Sequence, residues 1–305
     1  MRSLILVTAG RFLLAACAAP TMALAQGISI FVTPETPTRG GLVQVVIRPP
    51  RPTADFSPVV TGHLAGQPLH FERDVTGAFR SLGGIPIGTT ASIPITIEIV
   101  VSEDSTIHRF ERIPIDSGSF GTERLSVDPR FATAPDSTLR ARISRETAAA
   151  VRVYRNTHNT PRYWNGPFRR PIDGRITSPF GKGRLFNGEL RSRHTGTDFD
   201  GELGDSVRVV NTGVVALTGS FYYAGNVVYL DHGRGLVTVY MHLSKIDVEI
   251  GDVVSTGDVI GLVGATGRVT GPHLHLQAKY GTVTVNALDL FDIDATLFGA
   301  LVAQP

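Results

Sequence analysis

Cysteine is almost absent from this chain. Its 305 residues include one, Cys17, inside the apolar N-terminal stretch. If that stretch is removed, no disulfide can form and no thiolate can act as nucleophile or metal ligand. Net charge is scarce as well. The chain has 29 Lys and Arg against 27 Asp and Glu, and Arg2 and Arg11 are the only charges before Gln26, so beyond the leader the balance is zero. A neutral chain offers no electrostatic footprint for nucleic acid. No later apolar run reaches the ~18 residues of a transmembrane segment. The helix-borne motif His-Glu-x-x-His is missing too, so no helical glutamate is offered as a catalytic base.

The N-terminus reads as an export signal. The apolar run Phe12–Ala19 follows Arg11, and Ala23-Leu24-Ala25 puts small residues at the −3 and −1 positions of a cleavage site before Gln26. The run Phe12–Met22 is too short to span a bilayer. A second reading stays open, because Leu14, Ala15, Ala16 and Cys17 resemble a lipobox that would place a lipid on Cys17. Either route delivers the chain to the periplasm or the exterior.

Roughly 280 residues after such a leader suggest two domains. Residues 26–116 hold short β-like runs at 28–32, 43–47, 59–61, 93–101 and 107–113, punctuated by Pro and Gly. That pattern predicts an immunoglobulin-like β-sandwich. His63, His70, His108 and His158 have no ligand spacing and are expected to pack or lie on the surface. Residues 117–162 form a connector in which Asp136-Ser137 can cap a helix running to about Arg155. Leu139, Ile143, Ala150, Val151 and Tyr154 fall on one helical face, interrupted by Thr147. Residues 163–305 show few helix signals and predict an antiparallel β domain with a groove across one face. Within it, the turn Asp231–Gly235 suggests a hairpin, and residues 250–264 resemble half of a biotinyl/lipoyl-type hammerhead without a carrier lysine.

What the chain does have is histidine near its C-terminal end. Of nine, five follow residue 193: His194, His232, His242, His273 and His275. A hydrolytic zinc site uses three protein ligands from His, Asp or Glu and leaves one position open. His273 and His275 are two apart, so on a strand they share a face and can converge on one small volume. One can bind the metal while the other sits further along the groove. With no helical glutamate, the base is expected to be a histidine.

The ordered words Ser178-Pro-Phe-Gly181, His194-Thr-Gly-Thr-Asp198, Gly225-Asn226, Asp231-His-Gly233, Tyr240-Met-His242, Gly251-Asp252 and Gly271-Pro-His-Leu-His275 carry a resemblance. From about Arg175 to Phe291 the chain resembles the catalytic domain of M23 metallopeptidases of the lysostaphin/LytM type. That resemblance implies a mainly β, LytM-type fold of the duplicated hybrid motif. It implies a Zn2+ ion held by His194, Asp198 and His275, with His242 and His273 as the acid/base pair. It also suggests an oxyanion donor near Gly225. Tyr223 is the candidate, although Ala224 takes the position closest to the family's tyrosine. In some latent relatives an upstream asparagine fills the open zinc position; here Asn187 would be that residue, with a place in the groove lining as its other role. His232, in a turn, is read as structural.

The expected function is therefore an exported zinc endopeptidase, acting as a monomer on peptidoglycan stem or cross-link peptides. The alternative is an inactive LytM-like scaffold that binds murein or activates an amidase. A sugar phosphotransfer domain shares the architecture but works in the cytoplasm, which the leader opposes. The N-terminal domain holds no cluster of ligands or nucleophiles. It is expected to position or cover the groove, and a chain starting near Tyr163 is expected to keep both metal and activity.

Overall fold

The computed structural model describes residues 27–49, 58–126, 128–132, 134–186, 189–295 and 298. The leader, Cys17 and Asn187 lie outside these described residues.

Period-two patterning builds the N-terminal half. In Ser92–Ser102 the isoleucines 93, 95, 97 and 99 point inward, while Thr96 and Glu98 face out. This strand belongs to an antiparallel sheet in the order Gln67–His70, Val59–Leu64, Ser92–Ser102, Ser105–Pro114. A second sheet runs Ser29–Thr33, Leu42–Arg48, Phe79–Gly84, Glu72–Arg73. Val43, Val45, Ile47 and Phe79 of the second sheet share one core with Leu64, Leu69 and the isoleucines of the first. Full burial of each such side chain contributes ~1.5–3 kcal/mol.

The strand Phe79–Gly84 has no apolar alternation, since Arg80, Ser81, Gly83 and Gly84 occupy it. It is buried throughout, and Arg80 is neutralised by an ion pair with buried Asp74. Gly84 allows a close approach: a Cβ there would lie 3.0 Å from Val285 Cγ1 and 3.1 Å from Val283 Cγ1 of the C-terminal half. Leu42 and Leu82 likewise join the core of the C-terminal half.

In the connector, the helix Ser137–Asn156 is capped as expected, with Asp136 accepting from Leu139 N at 2.8 Å. Its Ala150 and Tyr154 pack on Val227, Tyr229, Val237 and Val239. Another part of the connector, Thr122–Leu125, is a strand. It pairs in parallel with Gly183–Phe186, which in turn pairs with Glu189–Arg193.

The C-terminal half is built on an antiparallel sheet. Its order is Ile176–Ser178, Thr197–Phe199, Leu274–Tyr280, Leu236–Leu243, Gly225–Gly233, Gly213–Phe221, Val253–Val254, with Val283–Val285 also on Leu274–Tyr280. A smaller sheet, Ser206–Arg208, Val259–Leu262 and Lys245–Ile246, covers one side. No described helix is long and apolar enough to cross a membrane.

The two halves meet through polar contacts as well as apolar ones. Arg162 Nε donates to Glu72 at 2.8 Å and Tyr280 donates to the Pro68 carbonyl at 2.9 Å. His70 Nε2 and His158 Nδ1 are 2.8 Å apart, and His158 Nε2 is 3.2 Å from Gln67 Oε1. If His158 Nε2 donates to Gln67, its Nδ1 accepts from His70, and the pair needs a neutral His158. Burial, then the His158 and Arg234 charges, push His70 down to about 4, and burial lowers His158. Histidines depressed in the folded state stabilise it above the unfolded value of 6.5, and that stability is lost as pH falls toward 4. The Tm is thus expected to fall between pH 6.5 and 4, with a shallower slope in His70→Gln. Calorimetry across that window checks this, and an unchanged slope in the variant would remove the pair as the cause.

Candidate metal centre

Strand alternation makes the site. Leu274, Leu276, Ala278 and Tyr280 enter the main core, so His275 and Gln277 project from the opposite face. Asp198 is the cross-strand partner of His275, and Ser178 is the partner of Asp198 on the next strand. Residues directly opposite in a sheet bring their side chains together. His194, on the chain entering Thr197–Phe199, adds the third group. The intervening Gly196 is needed by proximity, since a Cβ there would lie 2.5 Å from His275 Nε2.

His194, Asp198 and His275 are all buried and form a group able to hold a metal ion. His194 Nε2 is 3.0 Å from Asp198 Oδ1 and 3.0 Å from His275 Nδ1, which is 2.7 Å from the same carboxylate oxygen. His194 Nδ1 faces the Pro179 carbonyl at 3.0 Å and Ser178 Oγ at 3.1 Å. A proton on Nδ1 leaves the Nε2 lone pair turned inward. Carboxylate and imidazole lone pairs so close repel one another unless a cation or an added proton lies between them. Two imidazoles and one carboxylate are a donor set that zinc accepts in hydrolytic sites. Burial alone would raise the Asp198 pKa, but the His194 and His275 imidazoles packed against it outweigh that and hold the carboxyl far below its usual range. Burial pushes His275 down to about 4. Asp198 and His275 are therefore free of surplus protons at neutral pH.

His242 reaches the site through an irregularity. Along Leu236–Leu243 the pairing with Gly225–Gly233 shifts between Tyr240 and Leu243, so an extra residue is accommodated. His242 absorbs it with a φ of 66°. Such bulges re-aim a side chain. Its Nδ1 donates to the Thr266 carbonyl at 2.9 Å, leaving Nε2 for chemistry. Burial, then the His275 and His273 charges, hold His242 well below 6.5. His273 donates from Nδ1 to the Gly271 carbonyl at 2.9 Å, and its Nε2 is 3.6 Å from Asp198 Oδ1. The two rings lie 5.0 Å apart, and both line a groove of about 260 Å³ beside the cluster.

Tyr223 is not brought into that groove. Its ring packs on Tyr222, which in turn packs on Phe131, with the Arg268 guanidinium 4.7 Å above it, and it lines a cavity under the connector helix. Arg268 does line the groove. His232 is fully buried, 2.8 Å from both the Thr212 carbonyl and Thr238 Oγ1, and so holds the hairpin. Sequence reasoning did not single out Arg184 or Glu123, and it quoted Ser178 only as part of the word 178–181. Arg184 donates from Nη2 to Asp198 Oδ2 at 2.9 Å and from Nε to Glu123 at 2.8 Å. Burial raises Glu123, but Arg184 and Ser178 more than offset it, and the carboxyl lies below its usual value. No sequence spacing links these residues, because they meet only through strand pairing.

Residues 192–287 match the model of Peptidase family M23. Peptidoglycan DD-endopeptidase ShyA of Vibrio cholerae is 46% identical over 123 residues, which are 39% of this chain and 29% of that protein. DD-carboxypeptidase/endopeptidase Mpg of Neisseria meningitidis is 40% identical over 116 residues, 38% of this chain and 27% of that one. The chain thus spans less than a third of the length of these curated relatives. A crystal structure described as a candidate M23 peptidase from Pseudomonas aeruginosa superposes over 84% of this chain and 95% of its own, with TM-score 0.61 and 28% identity. That likeness extends through both halves of the chain, so the β architecture is shared well beyond the matched segment.

Proposed function

We propose that this chain is an exported zinc metalloendopeptidase that hydrolyses peptide bonds in peptidoglycan stem or cross-link peptides. The observation that carries this is the convergence of His194, Asp198 and His275 on one point, with His242 and His273 beside them on the groove. The substrate class rests on the relatives, two of which are named for D,D cleavage of peptidoglycan or D,D-carboxypeptidase activity.

A zinc ion bound by the three ligands would supply Lewis acidity, polarising the scissile carbonyl and acidifying a water. The chain's own groups do the rest. His242 and His273 each tie up Nδ1 on a backbone carbonyl, so each has one fixed nitrogen, Nε2, for proton transfer. One accepts the proton of the attacking water, and a histidine then donates to the leaving amine. Tyr223 supports this site from behind, as the platform under Arg268, rather than as an oxyanion donor.

Digestion of purified sacculi by zinc-loaded protein, with released muropeptides identified by mass, tests the activity. Cleavage of D,D cross-links is the expected result. A zinc-loaded protein that binds sacculi and releases nothing would support the scaffold alternative instead. Export is tested separately by mass spectrometry of the mature N-terminus. We expect Gln26, and a lipidated Cys17 would establish the lipobox route.

A further inference from the structure

This inference rests on reading His194, Asp198 and His275 as a zinc centre. The strand Thr122–Leu125 of the connector adds in parallel to Gly183–Phe186, and its register sets Glu123 opposite Arg184. One oxygen of Glu123 accepts from Arg184 Nε at 2.8 Å and the other from Ser178 Oγ at 2.8 Å. Lys182 Nζ lies 3.6 Å from the second oxygen. Each of the two hydrogen-bonded partners continues to a different metal-binding side chain. Arg184 Nη2 donates to Asp198 Oδ2 at 2.9 Å, and Ser178 Oγ is 3.1 Å from His194 Nδ1. A single carboxylate from outside the catalytic half therefore stands behind two of the three ligands.

We propose that Glu123 is a positioning residue of the metal centre, fixing His194 through Ser178 and Asp198 through Arg184. With its hydroxyl proton directed to Glu123, Ser178 presents a lone pair to His194 Nδ1–H. Together with the Pro179 carbonyl, 3.0 Å from the same nitrogen, this holds the tautomer that leaves Nε2 for the metal and fixes the direction of the ring. On the other arm, Arg184 occupies Oδ2 of Asp198 and leaves Oδ1, the oxygen nearest both histidines, for the ion. Glu123 also neutralises Arg184. Without it an uncompensated guanidinium would draw the Asp198 carboxylate away from the cation. The connector thus completes the centre, and a chain starting at Tyr163 would lack this support. On this proposal the expectation that a chain starting near Tyr163 keeps both metal and activity no longer holds.

The test compares wild type with Glu123→Gln, which keeps the shape and removes the charge. Zinc affinity is read by competition with a chelator, ligand geometry by the visible spectrum of the cobalt-substituted protein, and folding by the Tm of the metal-free form. Loss of a group that orients metal ligands costs ~10–100-fold in metal affinity. We expect a loss in that range, an altered cobalt band, and a fall in kcat with little change in KM at saturating zinc. Wild-type affinity together with a wild-type cobalt spectrum would overturn the proposal. If peptide hydrolysis rose in that case, Thr122–Leu125 would be a cover over the groove. Should Glu123→Gln fail to fold, Ser178→Ala carries the test, because it cuts the same chain of contacts and leaves the strand pairing alone. A changed cobalt band is expected there too, and an unchanged one overturns the His194 arm. If wild-type protein itself binds no zinc, it is the metal reading that fails.

Discussion

Asp198→Ala is expected to yield a folded protein that no longer retains zinc. Wild type should carry about one zinc per chain, as expected for a site with three protein ligands and one open position. Asp198 is the only anion of the three, and its Oδ1 is within 3.0 Å of both histidine ligand nitrogens. Its removal leaves two neutral imidazoles, which hold a divalent ion far less tightly. A second readout does not depend on catalysis. An ion that binds only the folded state raises stability by ~2.7 kcal/mol when its free concentration is 100 times Kd. Added zinc should therefore raise the Tm of wild type and leave that of Asp198→Ala unmoved. Loss of the carboxylate also frees Arg184 from one partner while Glu123 keeps it neutralised, so the metal-free Tm should change little. Unchanged zinc content in the variant would sink the ligand assignment.

The ligand set was legible through the resemblance carried by the words around it, and periodicity added only the shared face of two histidines. The i, i+2 spacing of His273 and His275 predicts a shared face, and both approach Asp198 Oδ1, at 3.6 and 2.7 Å. The cap at Asp136 and the isoleucine alternation in Ser92–Ser102 are equally local signals. What escaped was non-local or irregular. His242 was named through the resemblance, but the means of its placement was not: alternation alone would send it into the core with Tyr240, and the bulge at φ 66° turns it to the groove. Phe79–Gly84 carries no apolar pattern because its burial depends on an ion pair and on glycines that admit the other half. Glu123 and Arg184 are 61 residues apart and meet through strand addition, which no motif encodes.

The connector changes how the two halves relate. Leu42 and Leu82 complete the core of the catalytic half, and the Leu42 amide donates to Asp289 at 2.8 Å. Burial raises Asp289 to about 6, since it gives up water for that contact and for Asn286. The sandwich is thus packed into the catalytic half rather than tethered to it.

His242→Ala and His273→Ala are expected to keep zinc and lose most activity. General acid/base groups typically contribute ~10²–10⁴-fold, and a drop of that size in kcat is the expected effect of each. Neither side chain is in the ligand group, so metal content should stay at the wild-type level. His242 needs a control because its φ of 66° is sparsely populated by residues with a side chain. Asparagine tolerates that region better than alanine, so His242→Asn keeps the bulge while removing the titrating ring. If the loss came from a collapsed bulge, Asn would restore activity. If it came from lost proton transfer, Asn would be as inactive as Ala. For His273, whose Nε2 is 3.6 Å from Asp198 Oδ1, the cobalt spectrum separates a lost proton donor from a disturbed ligand. Wild-type hydrolysis of sacculi by either alanine variant would take that histidine out of the proton relay and leave the remaining one to serve both transfers.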